Sequence, residues 1–296
     1  MRVRLILLIA LLVLPLAAIR AQDAAPADEQ AQAAAILPYV GVDLLERGEA
    51  ALQSNNSEAA ALDFSLFIYL NPTAAIGYYE RSLAYAQLDR IQDALADLNL
   101  AITLPSPSLT FTALAHDSRA RLHLSLNDLD RALADLGTSI EAVPDQPDSY
   151  FTRAIVYQET GDLEKALADW DQVLELVPDN VASLTNRAGV LTALERYDDA
   201  IDDYTRLIAL QPDSDAFYAG RAALYNVQPE LGLADINRAI ELNSQDAGYY
   251  LQRGALYSQL DRPTESAANF MVWIQAIRQT NDTRSIDLVP GSSELF

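Results

Sequence analysis

Between Tyr150 and Leu176 the apolar residues fall three or four apart, in two runs. Tyr150, Ala154 and Tyr157 make the first; Leu163, Ala166, Trp170, Val173 and Leu176 make the second. Gly161 and Asp162 separate them, and Pro178 follows. That period belongs to helices, so the pattern predicts two amphipathic helices joined by a tight turn and stopped by proline. Each helix is short and has one apolar face, so neither is stable alone. Stacking hairpin on hairpin buries both faces.

The same pattern recurs along the chain. Arginine stands at Arg47, Arg81, Arg119, Arg153, Arg187, Arg221 and Arg253, with spacings of 34, 38, 34, 34, 34 and 32, which implies a unit of 34 residues. With each Arg as the seventh position, seven units run over 41–74, 75–112, 113–146, 147–180, 181–214, 215–246 and 247–280, and 281–296 form a C-terminal tail. The second unit holds four extra residues around Pro105 to Thr112, which predicts a longer loop into the third. The sixth is two residues short between Asn226 and Leu231, which predicts a tighter inter-helix turn. In the seventh, Trp273 stands where the others carry a smaller residue or Phe67.

Three positions of the unit are nearly invariant in size. The eighth reads Gly48, Ser82, Ala120, Ala154, Ala188, Ala222 and Gly254, and the twentieth Ala60, Ala94, Ala132, Ala166, Ala200, Gly232 and Ser266. The twenty-fourth holds Phe64, Leu98, Leu136, Trp170, Tyr204, Ile236 and Phe270, each large enough to fill a gap between helices. Pro72, Pro144, Pro178 and Pro212 occupy the thirty-second, with Ser106 and Ser244 in two other units. Over about four fifths of the chain these units resemble the tetratricopeptide repeat.

The resemblance implies an all-α fold, a right-handed superhelical solenoid of seven helix-turn-helix repeats. It also implies that the first helix of each repeat lines a concave groove. The groove-facing residues are then Tyr79, Leu83, Gln87, Arg121, Phe151, Ile155, Gln158, Thr185, Asn186, Gly189, Ala219 and Ala223, with Glu80, Asp117, Thr152 and Gly220 beside them. Tyr79, Leu83 and Phe151 on one open face are expected to form an apolar patch, which marks an interaction site. The basic residues of the carboxylate clamp found in tetratricopeptide co-chaperones are missing from these positions. A neutral or basic peptide therefore fits the groove better than an acidic tail.

Composition narrows the reading. The chain carries 20 basic against 42 acidic residues, a net charge of −22, and every basic residue but Lys165 is Arg. Nucleic acid is disfavoured on electrostatic grounds. Cysteine is absent, which excludes disulfides, thiolate metal sites and a cysteine nucleophile. At the N-terminus, Arg2 and Arg4 precede an apolar run from Leu5 to Ile19, and polar sequence follows. Residues 1–21 have the layout of a secretory signal peptide cut after Ala21, and 22–40 read as an Ala-rich acidic linker. Cleavage removes Arg2, Arg4 and Arg20 and takes the net charge to −25. The alternative is an uncleaved membrane anchor, for which the run is short of the ~20 residues a spanning helix needs.

Two constellations suggest chemistry. His116 and His123 lie seven apart on one helix face, which could suggest a metal site. They occupy the fourth and eleventh positions, where other units mostly hold Tyr78, Tyr150, Tyr218, Tyr250 and Tyr85, Tyr157, Tyr225, Tyr257, so they read as core fillers. The second is a charge ladder: the seventh-position arginines face Asp63, Asp97, Asp135, Asp169, Asp203 and Asp235 at the twenty-third position, with Asn269 last. Arg81, Arg119, Arg153, Arg187 and Arg221 are expected to pair with these aspartates and lock the hairpins. As exposed pairs they would contribute ~0 to 1 kcal/mol each, less than one buried apolar side chain at ~1.5 to 3 kcal/mol.

No glycine-rich phosphate loop or nucleophile elbow appears, and the carboxylates are spread along helices. The sequence thus points to a non-catalytic scaffold or adaptor outside the cytoplasm, binding a protein or peptide partner, with no cofactor, metal, small-molecule substrate or nucleic acid. A membrane-tethered adaptor and an enzyme or enzyme-activating subunit are the alternatives. The tail is too short for a helix of its own, and Ile286, Leu288 or Phe296 is expected to fold back near Trp273 as a cap.

Overall fold

The computed structural model describes residues 41–225 and 227–286, the last seven of these as backbone only. Regular structure among the described residues is entirely α-helical: α1 (41–53), α2 (Ser57–Leu70), α3 (Ala75–Gln87), α4 (Ile91–Thr103), α5 (Leu109–Ser125), α6 (Leu129–Ala142), α7 (Pro147–Thr160), α8 (Leu163–Leu176), α9 (Val181–Ala193), α10 (Tyr197–Leu210), α11 (Asp215–Leu224), α12 (Pro229–Leu242), α13 (Ala247–Gln259) and α14 (Pro263–Ile286). The chain divides into two compact units, 1–143 and 144–296. In the first, α1 to α6 make three helix-turn-helix hairpins in chain order. In the second, α7 to α14 make four. Within each unit the second helix of one hairpin also packs on the first helix of the next.

The turns inside the hairpins share one device. Asn55, Asp89, Asn127, Gly161, Glu195 and Asp261, all at the fifteenth position, take positive φ between 53° and 83°. Asn and Asp tolerate this left-handed conformation better than most residues, and Gly does so freely. The following amide then reaches back to close the helix end: Arg90 N to Tyr85 O, Asp128 N to His123 O, Asp162 N to Tyr157 O and Arg196 N to Leu191 O, each at 2.8 Å. This is the Schellman closure, and it aims the second helix back along the first. Asn56 and Asp128 then cap the second helix by accepting from Ala59 N and Arg131 N.

The small and large positions meet in the core. Ala60, Ala94, Ala132, Ala166 and Ala200 are wholly buried, as are Phe64, Leu136, Trp170 and Ile236. At Gly48 a Cβ would come within 2.4 Å of the Phe64 ring, so the glycine is what lets a phenylalanine fill that repeat.

Three local expectations are corrected. The extra residues of the second unit do not lengthen the loop appreciably; they lengthen α5, which has 17 residues against 13 in α3. Pro105 and Pro107 cannot continue α4, and Ser108 starts the next helix at once by accepting from Phe111 N at 3.0 Å. In the sixth unit the turn is not tighter. Helix α11 is cut to 10 residues, and Tyr225, Val227 and Gln228 lie outside the helices before α12. Val227 stands where the left-handed turn residue is found in the other units, and a β-branched side chain resists that conformation. Finally, α14 does not stop near Thr280 but runs on to Ile286. The cap expected from Leu288 or Phe296 lies outside the described residues, as do the N-terminal segment and the linker. Among the described residues no helix is long and apolar enough to cross a membrane.

Candidate functional site

Each seventh-position arginine reaches its partner across its own hairpin. Arg81 donates from Nε and Nη2 to the two carboxylate oxygens of Asp97 at 2.7 and 2.8 Å, and Arg153 does the same to Asp169 at 2.8 Å for both. Arg119 to Asp135, Arg187 to Asp203 and Arg221 to Asp235 repeat the fork, and Arg47 binds Asp63. Such bidentate pairs are the strong, geometrically specific kind. The aspartate side chains are only 4–9% exposed. The exposed-pair value expected from sequence is therefore too low: a carboxylate this deep would be costly without its arginine. Each hydrogen bond donated to Asp in turn pushes the Arg81, Arg153, Arg187 and Arg221 guanidinium pKa upward against desolvation.

The remaining guanidinium nitrogen ties the hairpin to the one before it. Nη1 of Arg81, Arg119, Arg187, Arg221 and Arg253 donates to Ser65, Asn99, Asp171, Thr205 and Asn237, all twenty-fifth-position side chains. This rung was missed in the sequence because those residues share only the ability to accept. Tyrosines at positions four and eleven flank the guanidinium, as Tyr78 and Tyr85 do around Arg81 at 5.9 and 5.5 Å.

The histidines fall into this frame. His116 and His123 replace the flanking tyrosines around Arg119, and His116 Nδ1 also lies 2.8 Å from Asp135. His116 is thus more than filler. Desolvation raises the Asp135 pKa, but hydrogen bonds from Arg119 and His116 outweigh it and leave the carboxyl below its usual range. Burial pushes His123 down, with Asp135 pulling it up. Among the described residues no group of three or more His, Cys, Asp or Glu is arranged to hold a metal.

The residues predicted to face a groove divide by exposure. In the first unit, Tyr79 is half-buried, its ring meeting Phe111 edge-on at 5.5 Å, and Leu83 is half-buried as well. Gln87 is exposed and accepts from Ser57 Oγ at 2.6 Å. Arg121 is exposed and held by Asp117 at 2.8 Å. In the second unit, Phe151 is half-buried against Trp170 at 5.0 Å. The aromatic patch expected on an open face is therefore largely spent on packing between helices. Ile155, Thr185, Gly189 and Ala223 are exposed, Gln158 and Asn186 are half-buried, and Ala219 is buried. Thr185 and Asn186 hydrogen-bond to the preceding turn of their own helix. That leaves a smooth, uncharged strip over α9 and α11, and on α7 the exposed Glu159 lies one turn from Ile155.

Two features of these faces went unread in the sequence. Among the described residues a Cβ built at Gly189 would meet nothing within 4 Å, so no packing between them calls for glycine there. In the first unit, Glu80 is pushed up to about 7, first by burial and then by the charge of Glu49. No spacing rule reveals either one, since both depend on how a neighbouring helix sits.

A family model described as tetratricopeptide repeat matches residues 45–108, 118–170 and 151–215. No curated protein matches the chain in sequence. Among solved structures, the C-terminal part of a TPR repeat-containing protein from Cytophaga hutchinsonii is 12% identical with a TM-score of 0.65, over 78% of this chain and 95% of that one. A tetratricopeptide repeat protein from Parabacteroides merdae is 19% identical, TM-score 0.53, over 80% and 93%. YrrB, a TPR protein with an unusual peptide-binding site, is 17% identical, TM-score 0.55, over 62% and 93%. At these identities the likeness is one of fold.

Proposed function

The chain belongs to the tetratricopeptide repeat family, and we propose that it is a non-catalytic scaffold or adaptor acting outside the cytoplasm, holding a neutral or basic peptide segment of a partner protein against its first helices. The observation that carries this is Gly189. A glycine inside a helix costs about 0.5 to 1 kcal/mol relative to alanine. Among the described residues nothing uses the space it leaves, so that space is open to a partner. Ile155, Thr185 and Ala223 around it are exposed and uncharged in a chain of net charge −22. An apolar anchor of a partner segment fits such a strip, as in other helix-groove recognition. Near Glu80 and Glu49, a cation on the partner would be attracted. The peptide-binding site of YrrB is a precedent within the fold. Export is supported by the Arg2, Arg4 and Leu5 to Ile19 layout, and N-terminal sequencing of the protein isolated from its host tests it.

Crosslinking in the host followed by pull-down and mass spectrometry tests the binding face. Gly189→Leu and Ile155→Asp are expected to lose partners that the wild type recovers, with helicity unchanged. Gly189→Ala is expected to melt higher than wild type, since it removes the glycine penalty without a clash. Recovery of the same partners by both Gly189→Leu and Ile155→Asp would reject this face.

A further inference from the structure

We propose that the outer face of α14 is a self-association surface, on which two copies of the chain pair through their last repeats. In the first and fourth repeats, the second helix buries its twenty-first and twenty-eighth positions against the first helix of the next repeat. Ala61 and Leu167 at the first of these, and Ile68 and Leu174 at the second, are 7–9% exposed. The close approach is visible at Gly77, where a Cβ would stand 2.9 Å from Ile68. No further repeat follows α14 among the described residues, and its face is open: Ala267 is exposed, Met271 is 59% exposed and Ile274 40%.

Three observations select a second copy, and this end of it, as the occupant. First, in five of the six earlier repeats a polar side chain at this position accepts from the incoming arginine, Gly137 being the exception, and Met271 offers no such acceptor. The α1 of another copy would bring exposed Asp43 and Glu46 onto apolar ground, where unpaired charges are costly. Second, charge permits like to meet like here. Residues 247–279 hold Arg253, Arg262 and Arg278 against Asp261 and Glu265, a net +1 in a chain of −22. Third, an antiparallel crossing centred on Met271 sets the apolar residues of the two faces together. It also keeps the two Arg278 side chains about 20 Å apart. A contact limited to one helix face is small for a specific interface, so the dimer is weak and reversible. Such a contact is isologous and closes at two copies.

Sedimentation velocity over a concentration series of the full chain reads the association. The wild type is expected to show a concentration-dependent dimer, and Ile274→Asp, at an exposed position, to weaken it at least tenfold without loss of helicity. Because the chain has no cysteine, Met271→Cys offers a second readout: under mild oxidation it is expected to form a disulfide-linked homodimer. A monomer at every concentration overturns the proposal. So does crosslinking only when Met271→Cys is mixed with Glu46→Cys, which indicates head-to-tail stacking. A dimer that appears only after deletion of residues 285–296 shows that the tail occupies the face, and overturns it equally.

Discussion

At the scale of single residues, the buried aspartates decide how firmly each hairpin closes. Asp169 has both carboxylate oxygens on Arg153 and is nearly inaccessible. Asp169→Ala leaves a half-buried guanidinium without its partner and is expected to cost about 2 to 4 kcal/mol by denaturant titration. Asp169→Asn is expected to cost less than half of that. The last repeat already shows why, since Asn269 there accepts from Arg253 Nε at 2.8 Å. A second prediction concerns Glu80, pushed up to about 7 by burial and by Glu49. A carboxyl whose folded pKa is raised binds its proton more tightly in the folded state, so its stabilising contribution is full below about pH 4.5 and is lost as pH rises through 7. Glu80→Gln is therefore expected to raise Tm at pH 8, with the gain shrinking as pH falls and gone by about pH 4. A gain independent of pH would assign the effect to something other than ionisation.

At the scale of elements, what could be read from the sequence and what could not separate on one physical ground. Packing between two helices of a hairpin acts at fixed spacing, so Ala at the twentieth position, a large side chain at the twenty-fourth, and the Arg and Asp columns all leave a periodic trace. Helix length leaves none. The insertion near Pro105 could enter a loop or a helix with the same period, and Ser108 settled it through a capping hydrogen bond. The deletion near Val227 likewise shortened α11 instead of its turn. Exposure of Tyr79 and Phe151 escaped for a related reason: their burial depends on Phe111 and Trp170, whose rotamers no spacing specifies. The turn device yields a prediction of its own. Glu195 is the one charged, long side chain among Asn, Asp and Gly at the left-handed position, with φ 60°. Left-handed backbone costs a side-chain-bearing residue about 1 to 2 kcal/mol, and glycine gives part of that back in unfolded-state entropy. Glu195→Gly is expected to stabilise the chain by about 0.5 to 1 kcal/mol in chemical denaturation.

At the scale of the whole molecule, two electrostatic effects oppose each other. The carboxylates of the ladder are neutralised and buried, while most of the remaining acidic side chains among the described residues are exposed on solvated helix faces and repel one another. Repulsion among exposed charges is screened over about 10 Å at 0.1 M salt and 3 Å at 1 M, whereas buried pairs are screened much less. Added salt is therefore expected to raise Tm, by a few degrees between about 0.01 and 0.5 M sodium chloride. The rise should be the same in Asp169→Asn, because the ladder is not what salt reaches. A fall in Tm would mean that exposed ion pairs such as Arg206 with Asp179 outweigh the repulsion. Partner binding separates from stability on the same axis. Contacts on the uncharged strip around Gly189 are indifferent to salt, but a basic segment drawn toward Glu49 and Glu80 is held by screened attraction. For such a partner, affinity is expected to fall over the salt range in which Tm rises, and a titration run beside a melt at each salt concentration measures both signs at once.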